Sequence, residues 1–143
     1  MLRVIVGVYL ALAGFMDWKT QIISWKFSLF FMGIGILAWT FSQAFSWIIL
    51  AGGILVGICL LGISKVTREA LGYGDGIAVA VTGSYLGLWE NVELLLGGLF
   101  FAAIVSAILL MTRKAGRKTR LPFVPFLFLA HMVLTWIGWR GGP

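Results

Sequence analysis

Charged residues divide the chain into long apolar runs. Reading between the charges gives six segments, approximately Leu2–Met16, Trp25–Phe41, Ser46–Ser64, Ala70–Trp89, Val92–Thr112 and Pro122–Trp139. A helix that crosses a bilayer needs about 20 mostly apolar residues, within a range of roughly 17 to 25. The first run is short. The fourth is apolar only from Gly76 onward, which places its opening residues near the interface. The pattern predicts an all-α, polytopic membrane protein with about six transmembrane helices. No internal repeat or low-complexity stretch divides it, so residues 1–143 are read as a single transmembrane domain.

Composition closes off the soluble alternatives. Apolar residues make up 61% of the chain and charged residues 11%, against roughly 25% charged in an ordinary soluble domain. A soluble domain of this size has no interior large enough to hide so much apolar surface. A soluble enzyme, a disordered chain and a nucleic-acid-binding domain are therefore excluded, and the partner is the lipid bilayer. Cys59 is the single cysteine, which excludes an internal disulfide and a multi-cysteine zinc site. No metal or cofactor is expected.

The formal net charge is +6, and the placement of Lys and Arg sets the orientation. The connections after the first, third and fifth helices carry Lys19, Lys26, Lys65, Arg68, Arg113, Lys114, Arg117, Lys118 and Arg120, nine of the eleven basic residues. The other side holds Arg3 and Arg140 with Glu90 and Glu93, the two acids reading as solvated turn residues. An excess of Lys and Arg marks the cytoplasmic side, so both termini are expected outside and the protein in the cytoplasmic (inner) membrane. Arg3, an apolar run and Ala11-Leu12-Ala13 together look like a cleavable signal peptide. Cleavage would place all three basic connections outside, so the first helix is read as retained.

Two acidic residues then stand out. Asp17 closes the first helix and Asp75 opens the fourth, so both are expected at the cytoplasmic edge of the bilayer. Carboxylates near hydrocarbon are expensive. Two that meet cannot both ionise easily, and one keeps a proton. One then activates water while the other polarises a carbonyl. The helix ends suggest that Asp75, at an N-terminus, is the ionised partner and Asp17, at a C-terminus, the protonated one. A plainer account stands beside this: Asp17-Trp18-Lys19 as an interfacial anchor and Asp75 as a helix N-cap. Gly72-Tyr73-Gly74-Asp75-Gly76 tips the balance, since three glycines in five residues weaken a helix start but let other backbone approach closely.

These residues resemble a known family. Gly72-Tyr73-Gly74-Asp75 matches the Gly-x-Gly-Asp motif of the type IV prepilin peptidases. In that family an aspartate after the first helix of the membrane core is the second catalytic group, and Asp17 stands there, within Asp17-Trp18-Lys19-Thr20-Gln21-Ile22-Ile23. Pro122-Phe123-Val124-Pro125-Phe126 is similar to the Pro-Phe-x-Pro-Phe run that opens the family's last helix. The three matches follow the family's order. The chain departs from the pattern where Ile23-Ser24-Trp25 replaces Ile-Pro-Asn and where Ile77 replaces a frequent Lys.

The resemblance implies a membrane-embedded aspartic endopeptidase with Asp17 and Asp75 as catalytic residues, and with Gly72 and Gly74 admitting substrate backbone. The substrates it implies are prepilin-like proteins, whose short basic leader is removed after a glycine at the cytoplasmic face. Large members add a cytoplasmic methylating domain with paired cysteines, so this chain looks like the small, peptidase-only form. The basic run Arg113–Arg120 fits lipid headgroups or an acidic residue downstream of the cut. His131, expected about 13 Å deep at 1.5 Å per residue, has no role in the family pattern. Two other classes remain: a noncatalytic scaffold of a pilus or secretion system, and a small ion transporter. A transporter needs a polar path, for which Thr82, Ser84, Tyr85, Ser106 and His131 are sparse.

Overall fold

In the computed structural model, which describes residues 1–41, 46–67, 72–113 and 121–141, the apolar runs fold into five helices. They are α1 (Leu2–Thr20), α2 (Trp25–Thr40), α3 (Trp47–Val66), α4 (Tyr73–Met111) and α5 (Val124–Gly141). No strand occurs among the described residues. Their boundaries follow local chemistry. Gln21 ends α1 in the left-handed region at φ 53°, its N–H bonded to the Asp17 carbonyl. Ser24 enters α2 in an extended conformation, and Gly72 does the same for α4.

The expectation of six separate helices is corrected here, because the fourth and fifth segments are joined as α4. A straight helix of 39 residues would be about 58 Å long, nearly twice the roughly 30 Å hydrocarbon core. Gly87, at φ 75° and ψ −168°, breaks the helical path, a conformation open to glycine. The side chains prove a reversal. Asn91 Nδ2 donates to the Val79 carbonyl at 3.1 Å, although twelve residues of straight helix would separate them by about 18 Å. So α4 is a helical hairpin with arms 73–86 and 88–111 that reverses at Gly87. The break leaves carbonyls without their helical partner, and Trp39 Nε1 donates to that of Tyr85 at 2.9 Å.

The first arm of α4 is the central rod. Its residues from Ala78 to Tyr85 are all buried, and α4 packs on each of the other four helices. Small side chains make this possible. Gly53 and Gly57 of α3 face Gly83 and Ala80, and a Cβ on Gly53 would lie 2.5 Å from the Gly83 carbonyl oxygen. Close backbone approach of this kind replaces hydrophobic burial as the packing force where the solvent is lipid. Large apolar groups such as Phe15, Phe30, Ile48, Leu55 and Phe100 point outward, as lipid-facing residues do. Two helices, α3 and α4, are long and apolar enough to cross a membrane.

The contacts also sort the helix ends. Gly14 lies against Pro125 and Gly7 against His131, so α1 and α5 are antiparallel. Gly76 lies against Leu61 and Gly53 against Gly87, so α3 and the first arm of α4 are antiparallel too. One end of the bundle therefore holds Asp17, Asp75 and the start of α5; the other holds Arg3, Gly87 and the end of α5. The basic residues Arg68, Lys114, Arg117, Lys118 and Arg120 lie outside the described residues.

Candidate active site

Asp17 lies in the last turn of α1 and Asp75 in the first turn of α4. Although 58 positions apart in sequence, the two carboxyls are near enough for their charges to interact. Asp17 is buried, with 8% of its surface exposed, and Asp75 is half-buried.

Each carboxylate faces the start of a helix. Asp75 does not occupy the N-cap position; Gly72 does. Asp75 is the third residue in, and its carboxylate accepts the Gly72 N–H while its own N–H donates to the Gly72 carbonyl at 3.1 Å. This is the returning half of a capping box. A Cβ on Gly72 would lie 2.8 Å from Asp75 Oδ2, so glycine there leaves room for the carboxylate to fold back. Gly72 is exposed. Gly74 is covered instead, with Ile23 Cδ1 3.1 Å from where its Cβ would be.

Asp17 reaches across to α5. Its Oδ2 accepts the Val124 N–H at 3.3 Å, and the Phe123 N–H points at the same carboxylate. Sequence reasoning assigned Asp17 only the unfavourable C-terminal end of its own helix. The structure adds the N-terminal amides of α5, where a negative charge is welcome. These donors were invisible as backbone groups. The run Pro122-Phe123-Val124-Pro125-Phe126 flagged the place but not the task.

The departures from the family pattern fall at defined points. Ser24, where the pattern has Pro, holds φ −65°, which is proline's own angle. Trp25, in the Asn position, is exposed, whereas Ile77 packs on the buried core.

Four of the five polar residues considered for a transport path are engaged internally. Thr82 donates to Asn91 Oδ1 at 2.7 Å, Ser84 to the Val81 carbonyl at 2.7 Å, and Tyr85 to the Phe31 carbonyl. His131 binds the Arg3 carbonyl at 2.8 Å. Asn91, which sequence reasoning missed, is fully buried and also donates to the Gly53 carbonyl at 3.0 Å. A lone Asn beside Glu in an apolar run was the available signal. No group of three or more potential metal ligands occurs among the described residues.

An apolar helical bundle with a carboxylate pair at one end defines the class: a helical membrane protein with the equipment for acid–base chemistry. Residues 4–111 match the type IV leader peptidase family, so the chain belongs to that family and is a peptidase by kinship. The match includes both aspartates and ends where α4 ends; α5, with its Val124 amide, lies beyond it. No curated protein and no solved structure matches the chain.

Proposed function

We propose that this chain is an aspartic endopeptidase of the cytoplasmic membrane that removes the short basic leader of prepilin-like proteins at the cytoplasmic face. The observation that carries the reading is that Asp17 and Asp75, from separate helices, lie at one end of the bundle within range of each other's charge. With the two arms of α4 counted separately the helical rods number six, an even number that puts both termini on one side; the basic connections at the opposite end make that side the outside. The connections with most basic charge then share the end that holds the aspartates.

The chemistry follows from the hydrogen bonds. Two close carboxyls hold one proton between them. Asp17, with amides of α5 directed at it, is the charged member and takes a proton from water as the water oxygen attacks the scissile carbonyl carbon. Asp75 gives its proton to the carbonyl oxygen. Collapse of the resulting diol breaks the C–N bond: the departing amine receives the proton from Asp17, and Asp75 takes a proton back from a diol hydroxyl, which restores both carboxyls. This reverses the roles that the helix ends alone suggest. Gly72, exposed beside Asp75, is where substrate backbone passes; Gly74 acts through its packing on Ile23.

The test is co-production with a pilin-like protein whose basic leader ends in Gly. Asp17→Asn and Asp75→Asn each abolish leader removal while the protein stays folded. Cleavage that persists in either variant removes that residue from the reaction. The replaced Pro, Asn and Lys positions favour one rival, a noncatalytic scaffold; under that reading secretion or piliation survives both substitutions.

A further inference from the structure

His131 is buried, with 5% exposure, and the proposed reaction leaves it unused. It sits on α5, and its Nε2 lies 2.8 Å from the carbonyl oxygen of Arg3 in the first turn of α1. A carbonyl only accepts, so Nε2 carries the hydrogen and donates. The Arg3 side chain meanwhile pairs with Glu90 at 2.9 Å, just beyond the α4 reversal. These groups line a cavity of about 200 Å³ at the end of the bundle opposite the aspartates.

The two bonds between α1 and α5 are reciprocal. Near its C-terminus, α1 offers the Asp17 carboxylate to the first amide of α5. Near its N-terminus, α1 offers the Arg3 carbonyl to an imidazole of α5. Between them α1 buries Val6, Leu10 and Ala13 completely, and Tyr9 is bonded to Ser28 of α2 at 3.1 Å. Gly7 faces the His131 ring and Gly14 faces Pro125, each with its would-be Cβ at 3.5 Å. Glycine at these two points lets the helices approach closely where the bonds form. A slip of one residue moves α1 by about 1.5 Å, enough to break the 3.3 Å bond at Asp17.

We propose that His131 is a positioning residue of the carboxylate pair: its bond to the Arg3 carbonyl completes, with the packing of Val6, Leu10 and Ala13, the axial register of α1, and so holds Asp17 against the Val124 amide at the far end. The exposed Arg3–Glu90 pair, about half accessible on both sides, contributes little, because such pairs are screened. This inference rests on the carboxylate pair being the reaction centre.

The test compares His131→Leu, which fills the site without a donor, with His131→Gln, which restores one. Leader cleavage is followed kinetically, and amide exchange at Val124 is followed independently of activity, with Asp17→Ala as the control for loss of its acceptor. Misplacement of a reacting group by about 1 Å costs up to about 100-fold in rate. In His131→Leu, kcat falls by about tenfold to 100-fold with KM unchanged, and Val124 exchange accelerates towards the Asp17→Ala value. His131→Gln recovers both. Should His131→Leu not fold, His131→Asn, whose shorter amide does not reach Arg3, takes its place with the same expectation. Unchanged Val124 exchange in a folded donor-less variant overturns the proposal. Accelerated exchange with no cleavage by the wild-type chain instead overturns the peptidase reading and leaves the register role standing.

Discussion

The carboxylate of Asp17 and the backbone N–H of Val124 are bonded across 107 positions of sequence, from the last turn of one helix to the first residue of another. A helix start carries amides without internal partners, and α5 meets that need with a side chain of α1. The same bond positions the carboxylate that is proposed to activate water.

Removing the donor while keeping the helix tests its contribution. Val124 is the first residue of α5, a position where proline is tolerated because its missing N–H has no helical partner. A hydrogen bond to a charged group is worth about 1.5–3 kcal/mol. Val124→Pro should therefore lower turnover by about ten- to 100-fold with helix content intact by circular dichroism. Normal turnover in a correctly folded variant shows that the amide does not tune Asp17.

The α3–α4 seam should respond to a single methyl group. A Cβ on Gly57 would meet the backbone of Ala80, whereas one on Gly62 meets nothing within 4 Å. Overpacking costs about 1–3 kcal/mol, and exchanging Gly for Ala in an open helical position gains up to about 1 kcal/mol. In detergent, Gly57→Ala should lower the midpoint of thermal unfolding and Gly62→Ala should hold or raise it. Equal midpoints for the two variants contradict the close approach of α3 and α4.

Asn91 holds the α4 hairpin closed through Thr82, Val79 and Gly53. Asn91→Leu keeps the volume similar but strands those buried groups, at a cost of about 1–3 kcal/mol. Loosening should appear first as faster amide exchange around Gly87, and proteolysis should concentrate at the same reversal. A hairpin as protected as wild type shows that the network is dispensable.

Orientation is open to labelling. Cys59 is a free, exposed thiol, so Cys59→Ala supplies the background. A cysteine introduced at Gly116 should react with a membrane-impermeant reagent only from the cytoplasmic side, and one at Trp89, which is exposed beside the reversal, only from outside. Swapped labelling places Asp17 and Asp75 on the face that leaders do not reach.

The sequence was sufficient for the helical class, because in lipid a chain this apolar must satisfy its backbone internally. It also singled out Asp17 and Asp75, since charge is rare and costly in such a chain and rarity makes it legible. It did not foresee that Gly87 joins two expected helices into one hairpin, because the reversal depends on a buried Asn and on Gly53 of a different helix. Nor did it foresee what each carboxylate touches. Asp75 reaches its partner three residues away, a distance that local pattern describes. Asp17 reaches a backbone amide on the last helix, and backbone donors carry no signature in the residue types. His131 is the same case in reverse: its acceptor is the carbonyl of Arg3, which any residue at position 3 would supply. Side-chain chemistry can be read along the chain, whereas a bond to another helix's main chain exists only once packing has set the register between them.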